Sequence, residues 1–392
     1  MTYIAELFYI CINTILSFLS LMKKINKKKI IITSTHNVSF NFNSKYIFEY
    51  FIESDDWKGY EIYYVINDEK KRKELNKRYK KNYFIESKSF VGAFFCLDAV
   101  CWISSTFELP VNSFFRDPRR SVLHLGHGVP LKKIGLNEEN ISFIKKINRK
   151  IRTRQFTDVI SYSEFLKDNM VKTFANVKAN YLYLGQPRND NLSSDGKNIR
   201  RVLSNISGAT SDAQFILYAP TWRPYDTTLF FPFNINIQKL DKILKSTNTY
   251  IFIRSHPFYP SNLSEEIESL PHIVKFNSDI APEICDYLFG FDGLITDYSS
   301  IYIDYLVTDN KIAFIPYDYS IYKANVGFCY PYNEFTPGCK IYNEVDLECF
   351  ILSDGVEYQN ARLKIRTITN TKPSGNCFEV ANYIKQLCIS RR

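Results

Sequence analysis

Gly293-Leu294-Ile295-Thr296-Asp297-Tyr298-Ser299-Ser300-Ile301-Tyr302-Ile303 is a short apolar run that breaks at Asp and Ser and then resumes. The first four residues read as a buried strand. Asp297, Ser299 and Ser300 supply oxygens that cap a helix start, and Ile301, Ile303, Asp304, Tyr305 and Leu306 open the helix. A strand turning directly into a helix is the building unit of a parallel, doubly wound α/β sheet. It also leaves backbone N–H groups facing outward, where an anion, phosphate above all, is stabilised. Taken alone, the stretch fits an ordinary capped helix better than a ligand site.

The same pattern recurs on either side. Residues 214–223 form a strand ending in a Pro-marked loop at Arg223, and residues 250–257 form one ending at Arg254 and His256. Residues 273–276 read as an edge strand and 311–318 as another strand. Strand ends of a parallel sheet share one edge. Arg223, Arg254, His256 and the helix start at Asp297, Ser299 and Ser300 therefore converge on an anion of more than one charge. A diphosphate fits best.

Earlier in the chain, strands are expected at 29–34, 60–66, 99–105, 158–163 and 181–184, with helices over 44–53, 68–81 and 165–174. The apolar run Val122-Leu123-His124-Leu125 ends at Gly126-His127-Gly128, followed by Lys132 and Lys133. The glycines allow His127 to be held out at the strand's C-terminal end. It is there either a general base working near neutral pH or a turn histidine bonded to the backbone. His124 points into the strand and reads as structural. Gly185-Gln186-Pro187-Arg188-Asn189-Asp190 is a rigid turn, and residues 193–198 are the best linker. The expected domains are residues 25–194 and 195–392, preceded by a membrane-associated helix in residues 1–24.

Composition narrows the partners. The chain has 392 residues, too many for one compact core, with 45% hydrophobic, 23% charged and 16% aromatic residues, so long disordered tracts are not expected. A net charge of +9 favours a nucleotide, a phosphate polymer or an anionic membrane surface. Nucleic acid is not expected, because zinc-finger spacing, an aromatic RNA-binding signature and a helix-turn-helix pattern are all missing. The 9 cysteines are scattered and form no Cys-x-x-Cys pair, which reads as reduced thiols and argues against a cysteine metal site. Residues 4–22 are almost continuously apolar and precede Lys23, Lys24, Lys27, Lys28 and Lys29. That order is the reverse of a cleaved signal peptide. A spanning helix, an interfacial helix and a buried domain helix all fit the run; attachment to the cytoplasmic face of the membrane, peripheral or monotopic, is preferred.

Five motifs in order resemble the CDP-glycerol glycerophosphotransferase family of teichoic-acid priming and polymerising enzymes. They are His-Gly-Val-Pro-Leu-Lys at 127–132, Gly-Gln-Pro-Arg-Asn-Asp at 185–190, Tyr-Ala-Pro-Thr-Trp-Arg at 218–223, Arg-Ser-His-Pro at 254–257 and Thr-Asp-Tyr-Ser-Ser at 296–300. Tyr-Asp at 317–318 and Pro-Gly at 337–338 also match. The chain departs from the family at Gly126, where Trp is common, and at Val129, where Thr is common; both flank the acceptor side. The resemblance implies a GT-B fold, two Rossmann-like domains with parallel sheets facing across a cleft. The first would carry His127 and handle a lipid-linked or polymeric glycan acceptor. The second would hold a CDP-alditol donor. The substrate-binding residues implied are Lys132, Arg188, Arg223, Arg254, Asp297, Ser299 and Ser300, with His127 and His256 catalytic. An acceptor hydroxyl would attack the CDP-linked alditol phosphate, glycerol phosphate first among candidates, and release CMP. Asp297 is expected to orient the turn rather than touch phosphate. The cations make a cofactor unnecessary and leave magnesium open. The chain is short for the family and so resembles its single-transfer members. Two other readings fit: a GT-B glycosyltransferase using a nucleotide sugar, and a non-catalytic membrane-bound polymer binder.

Overall fold

The computed structural model describes residues 3–193, 196–210, 212–221, 223, 231–254 and 265–390. Among the described residues thirteen strands form two sheets, each parallel throughout. The first holds β1 (Asn26–Thr33), β2 (Glu61–Val65), β3 (Phe84–Ile85), β4 (Ala99–Ser104), β5 (Ser121–His124), β6 (Asp158–Ile160) and β7 (Asn180–Leu182), in the order β3-β2-β1-β4-β5-β6-β7. The second holds β8 (Gln214–Tyr218), β9 (Thr249–Ile253), β10 (Ile273–Lys275), β11 (Gly293–Thr296), β12 (Lys311–Phe314) and β13 (Cys339–Lys340), in the order β10-β9-β8-β11-β12-β13. Strands such as Ile30-Ile31-Ile32 and all of β4 are buried on both faces, as helix-covered parallel sheets require. Strand order reverses between β1 and β4 and again between β8 and β11. Those reversals open a crevice at the carboxyl ends of the strands, where ligands of such sheets bind. The expected strands appear, most of them shortened at their C-terminal ends. β3 and β13, two residues each, are too short to leave a periodic signal.

The chain divides into two compact units. One comprises residues 1–129, 133–190 and 375–392; the other, residues 130–132 and 191–374. This differs from a single cut at 194. The helix Asn376–Ser390 belongs to the first unit, packing on the helix Phe42–Glu53 and on β1 and β4. Asp190 explains the return. Its carboxylate accepts the N–H of Asn376 (2.9 Å) and of Cys377 (2.6 Å) and the Asn376 amide (2.7 Å), capping that helix. Tyr383 further donates to Asp158 Oδ1 at 2.6 Å.

The N-terminal helix Tyr3–Leu19 is likewise part of the first unit rather than a separate segment. Leu16 packs into the core with Trp102 and Val122, and Ile10 is buried. Three of the polar residues that interrupt the apolar run are satisfied locally: Thr14, Ser17 and Ser20 donate to carbonyls three or four residues back. The opposite face is open, with Phe8, Ile15, Phe18 and Leu19 exposed. No helix among the described residues is long and apolar enough to cross a membrane. Of the five lysines that follow, Lys29 is structural, buried and paired with Asp98 at 2.8 Å.

Replacing Asp190 by Ala leaves three donors without their acceptor and is expected to cost about 2 kcal/mol. Urea unfolding followed by circular dichroism measures it; an unchanged midpoint would show that the cap does not anchor the helix.

Candidate functional site

In the second unit, three adjacent strand ends are tied together by one buried ion cluster. Asp297 follows β11 and takes the N–H of Thr221, beyond β8, on both oxygens at 2.9 Å. That bond crosses the strand-order reversal. Asp297 also accepts from its neighbour Tyr298 and pairs with Arg223 Nη1 at 2.7 Å. Asp318, beyond β12, accepts Arg223 Nε (2.5 Å) and Nη2 (2.9 Å) and the Tyr298 hydroxyl (2.9 Å). Arg223 Nη1 completes its set at the Thr221 carbonyl (2.7 Å), and the guanidinium lies over Tyr317 and Tyr298. Burial alone would lower the Arg223 pKa; the charges of Asp297 and Asp318 reverse that and hold it above its ordinary value. Burial and the Asp318 charge push the Tyr298 phenol up.

Two other cations in this unit are placed differently. Arg254 follows β9 and donates Nη1 to the Ala281 carbonyl at 2.8 Å. Burial lowers its pKa, opposed by the charge of Glu283. Lys132 enters this unit through a bridge to Phe328 and a bond from Cys329 N–H to the Leu131 carbonyl (2.9 Å). Its ammonium is lowered by burial, opposed by Asp297. Among the described residues neither cation has a carboxylate at ion-pair distance, whereas Arg223 has two. The helix after Asp297 is one short turn, Ile301–Tyr305. Ser299 Oγ accepts the Ile301 N–H at 3.3 Å, and Ser300, at the cap position, makes no side-chain cap bond. Both serines are half-buried. His256 and its flanking Ser and Pro lie outside the described residues.

In the first unit, the turn after β5 holds His127. Gly126 has φ +74° and Gly128 φ +134°. The imidazole Nδ1 lies 3.0 Å from the Ser105 carbonyl. A carbonyl only accepts, so Nδ1 carries a proton, and in the neutral ring the lone pair is then on Nε2. Tyr162 donates its hydroxyl to the Gly128 carbonyl at 3.1 Å. A Cβ at position 126 would sit 1.8 Å from that hydroxyl. Tyr162 thus occupies the space a larger residue at position 126 would need. His124 accepts the Gly126 N–H on Nδ1 (3.1 Å) and is caged by Phe107, Phe156 and Phe174; burial first, then the charge of His127, drive its pKa down, so it is a neutral core residue. Arg188 is buried in the turn after β7, and its N–H donates to Asn43 Oδ1 at 3.1 Å.

The family model of CDP-Glycerol:Poly(glycerophosphate) glycerophosphotransferase matches residues 15–372. The chain belongs to that family. It is 27% identical over 327 residues to the teichoic acid poly(glycerol phosphate) polymerase of Bacillus spizizenii, covering 80% of each chain. It is also 27% identical over 352 residues to the teichoic acid glycerol-phosphate transferase of Staphylococcus aureus, covering 84% of this chain and 85% of that one. A structure of the wall teichoic acid polymerase TagF superposes with a TM-score of 0.74 at 20% identity, covering 96% of this chain and 92% of that one. That likeness carries the GT-B type of fold. The chain is thus a glycerophosphotransferase-family enzyme with two parallel α/β units.

The predicted site residues of this glycerophosphotransferase-family chain fall into two groups. Lys132, Arg223, Arg254, Asp297, Ser299 and Ser300 share the second unit; His127 and Arg188 share the first. Within the second unit, Arg223 is committed to Asp297 and Asp318, so its part is to fix strand ends rather than to present a charge. Sequence reasoning quoted Asp318 only as a motif match and did not assign it a role. Its signal was the Tyr-Asp that ends an apolar strand.

Asp318→Ala leaves Arg223 buried with one carboxylate, and the expected loss of stability is about 3–5 kcal/mol. Urea denaturation measures it, and a loss near zero would remove the cluster as the organiser of the second unit.

Proposed function

We propose that the chain transfers an alditol phosphate, glycerol phosphate first, from a CDP-activated donor to a hydroxyl of a membrane-linked teichoic or capsular acceptor, releasing CMP. The observation that carries this is the contrast among the cations of the second unit. Arg223 is neutralised by two carboxylates, while Arg254, just after β9, and Lys132, in the loop bridged to Phe328, have none at ion-pair distance among the described residues. A diphosphate supplies the missing negative charge. The names of the relatives support glycerol phosphate as the group moved.

In this reading the second unit holds the donor. The acceptor oxygen forms a bond to the phosphorus that bears the alditol, and the bond from that phosphorus to the CMP oxygen breaks. The acceptor proton passes to His127 Nε2, the nitrogen left unprotonated by the Ser105 carbonyl. Arg254, Lys132 and the Ser299 and Ser300 hydroxyls neutralise charge as CMP departs. Asp297 and Asp318 stay with Arg223 as the frame. His256 is retained as a second diphosphate contact, and Arg188 as a substrate contact on the first unit. The fixed cations make a metal unnecessary and leave magnesium open. Chain length does not separate single transfer from polymerisation, since a polymerase and a transferase match over similar shares of their lengths.

The same reading places the chain at the cytoplasmic face of the membrane. Support comes from the exposed apolar face of the helix Tyr3–Leu19, with Lys24, Lys27 and Lys28 exposed beyond it.

Three measurements test these assignments. Arg254→Ala, and separately Ser299→Val with Ser300→Val, should weaken CDP-glycerol binding about tenfold to a hundredfold, as loss of charge-assisted hydrogen bonds does; unchanged affinity in calorimetry excludes the donor site. His127→Ala should lower transfer about a hundred- to ten-thousand-fold and leave donor affinity in place; retained turnover removes His127 as the base. Ile15→Asp with Phe18→Asp should release the protein from phosphatidylglycerol vesicles in a flotation assay, and continued flotation in high salt would move the membrane contact elsewhere.

A further inference from the structure

Besides Tyr162, polar groups that fix the His127 turn come from the start of the helix Phe42–Glu53, a segment no motif points to. Asn43 is fully buried. Its Nδ2 donates to the Gly126 carbonyl at 2.8 Å, with the Leu125 carbonyl and Gln186 Oε1 each at 3.5 Å; its Oδ1 accepts the Arg188 N–H at 3.1 Å. One side chain therefore ties the turn after β5 to the turn after β7. Its neighbours act on the same turn. The Phe42 ring lies 5.2 Å from the His127 imidazole at 32°, and Phe42 has φ +57°. A bulky residue adopts that conformation only where its surroundings hold it. Ser44 N–H donates to Ser105 Oγ at 2.7 Å, and the two hydroxyls lie 2.8 Å apart. Ser105 is the residue whose carbonyl receives the His127 Nδ1 proton.

Burying a primary amide among carbonyls is costly unless each donor and acceptor is met, and an apolar residue would pack a helix on a sheet with less risk. Here every contact the Asn43 amide makes lands on the two turns that flank the imidazole. We propose that Asn43, supported by Phe42 and Ser44, is a positioning residue that fixes the pose and tautomer of His127. The inference rests on the reading of His127 as the base. Asn43 acts through the turn and takes no part in the bonds made or broken.

The test is a double-mutant cycle with CDP-glycerol as probe donor, joined to nitrogen-15 NMR of the histidine side chains. The chain has 5 histidines, and His127→Ala identifies the signals of its own ring by deleting them. Asn43→Ala should lower kcat about tenfold to a hundredfold, the scale of a misplacement near 1 Å, with KM for CDP-glycerol unchanged. In the His127→Ala background it should cost nothing further, because the group it positions is gone. The Nδ1–H tautomer of His127 should become a mixture. Equal losses in both backgrounds, or an unchanged tautomer, overturn the inference and leave the base assignment standing. Full turnover by His127→Ala defeats the base assignment instead, and the tautomer measurement still decides whether Asn43 orders the ring. Where Asn43→Ala fails to fold, Asn43→Ser, which keeps a donor of shorter reach, is read in the same two ways.

Discussion

Arg223 held between Asp297 and Asp318 is the interaction on which the second unit's ligand edge depends. A guanidinium and two carboxylates buried together are tolerated only when their hydrogen bonds are nearly all made, and here four N–H···O contacts and the Thr221 N–H meet that demand. The cluster joins the ends of β8, β11 and β12 across the reversal in strand order. Ordinary strand pairing cannot do this, because the ladder stops where the loops begin. Tyr298 and Tyr332 seal it, one bonding the Asp318 carboxylate and the other the Asp297 carbonyl. The charge of Arg223 is thereby taken up within the frame, whereas Arg254 and Lys132 have no carboxylate at ion-pair distance among the described residues.

The first unit solves a related problem with neutral groups. His127 is proposed as the base, and a base that acts through one ring nitrogen needs a fixed tautomer. The Ser105 carbonyl sets the tautomer without adding a charge. Tyr162 and Asn43 grip the turn on either side through the Gly128 and Gly126 carbonyls. Tyr162 itself sits at φ +68°, an uncommon conformation for an aromatic residue, in keeping with a turn held from several directions.

Much of this was legible in the chain. The alternation of β-rich apolar runs with helical stretches carried both parallel sheets, because a doubly wound sheet buries its strands on both faces and leaves no other pattern. Residues at strand ends were legible as ligand candidates for the same topological reason. What a side chain bonds to was not. Arg223 looked like a phosphate ligand because its two carboxylate partners lie 74 and 95 residues away in sequence. Lys29 read as part of a basic surface, yet its ammonium is buried against Asp98. Asn43 carried no signal at all, since a single polar residue at a helix start reads as an ordinary cap. The return of the helix Asn376–Ser390 to the first unit was equally silent, because the cap that holds it is Asp190, far back in the chain.

That return has a consequence for how the chain is made. The seven strands of the first sheet are complete at Leu182, but the helix that covers β1 and β4 begins only at Asn376. The whole span 191–374 must leave the ribosome in between. At about 5–20 residues per second, that is roughly ten to forty seconds in which the apolar surface later covered by Val380, Ala381 and Ile384 has no partner. The first unit to be translated is thus the last to close. The nascent chain carries that face uncovered through most of the synthesis of the second unit.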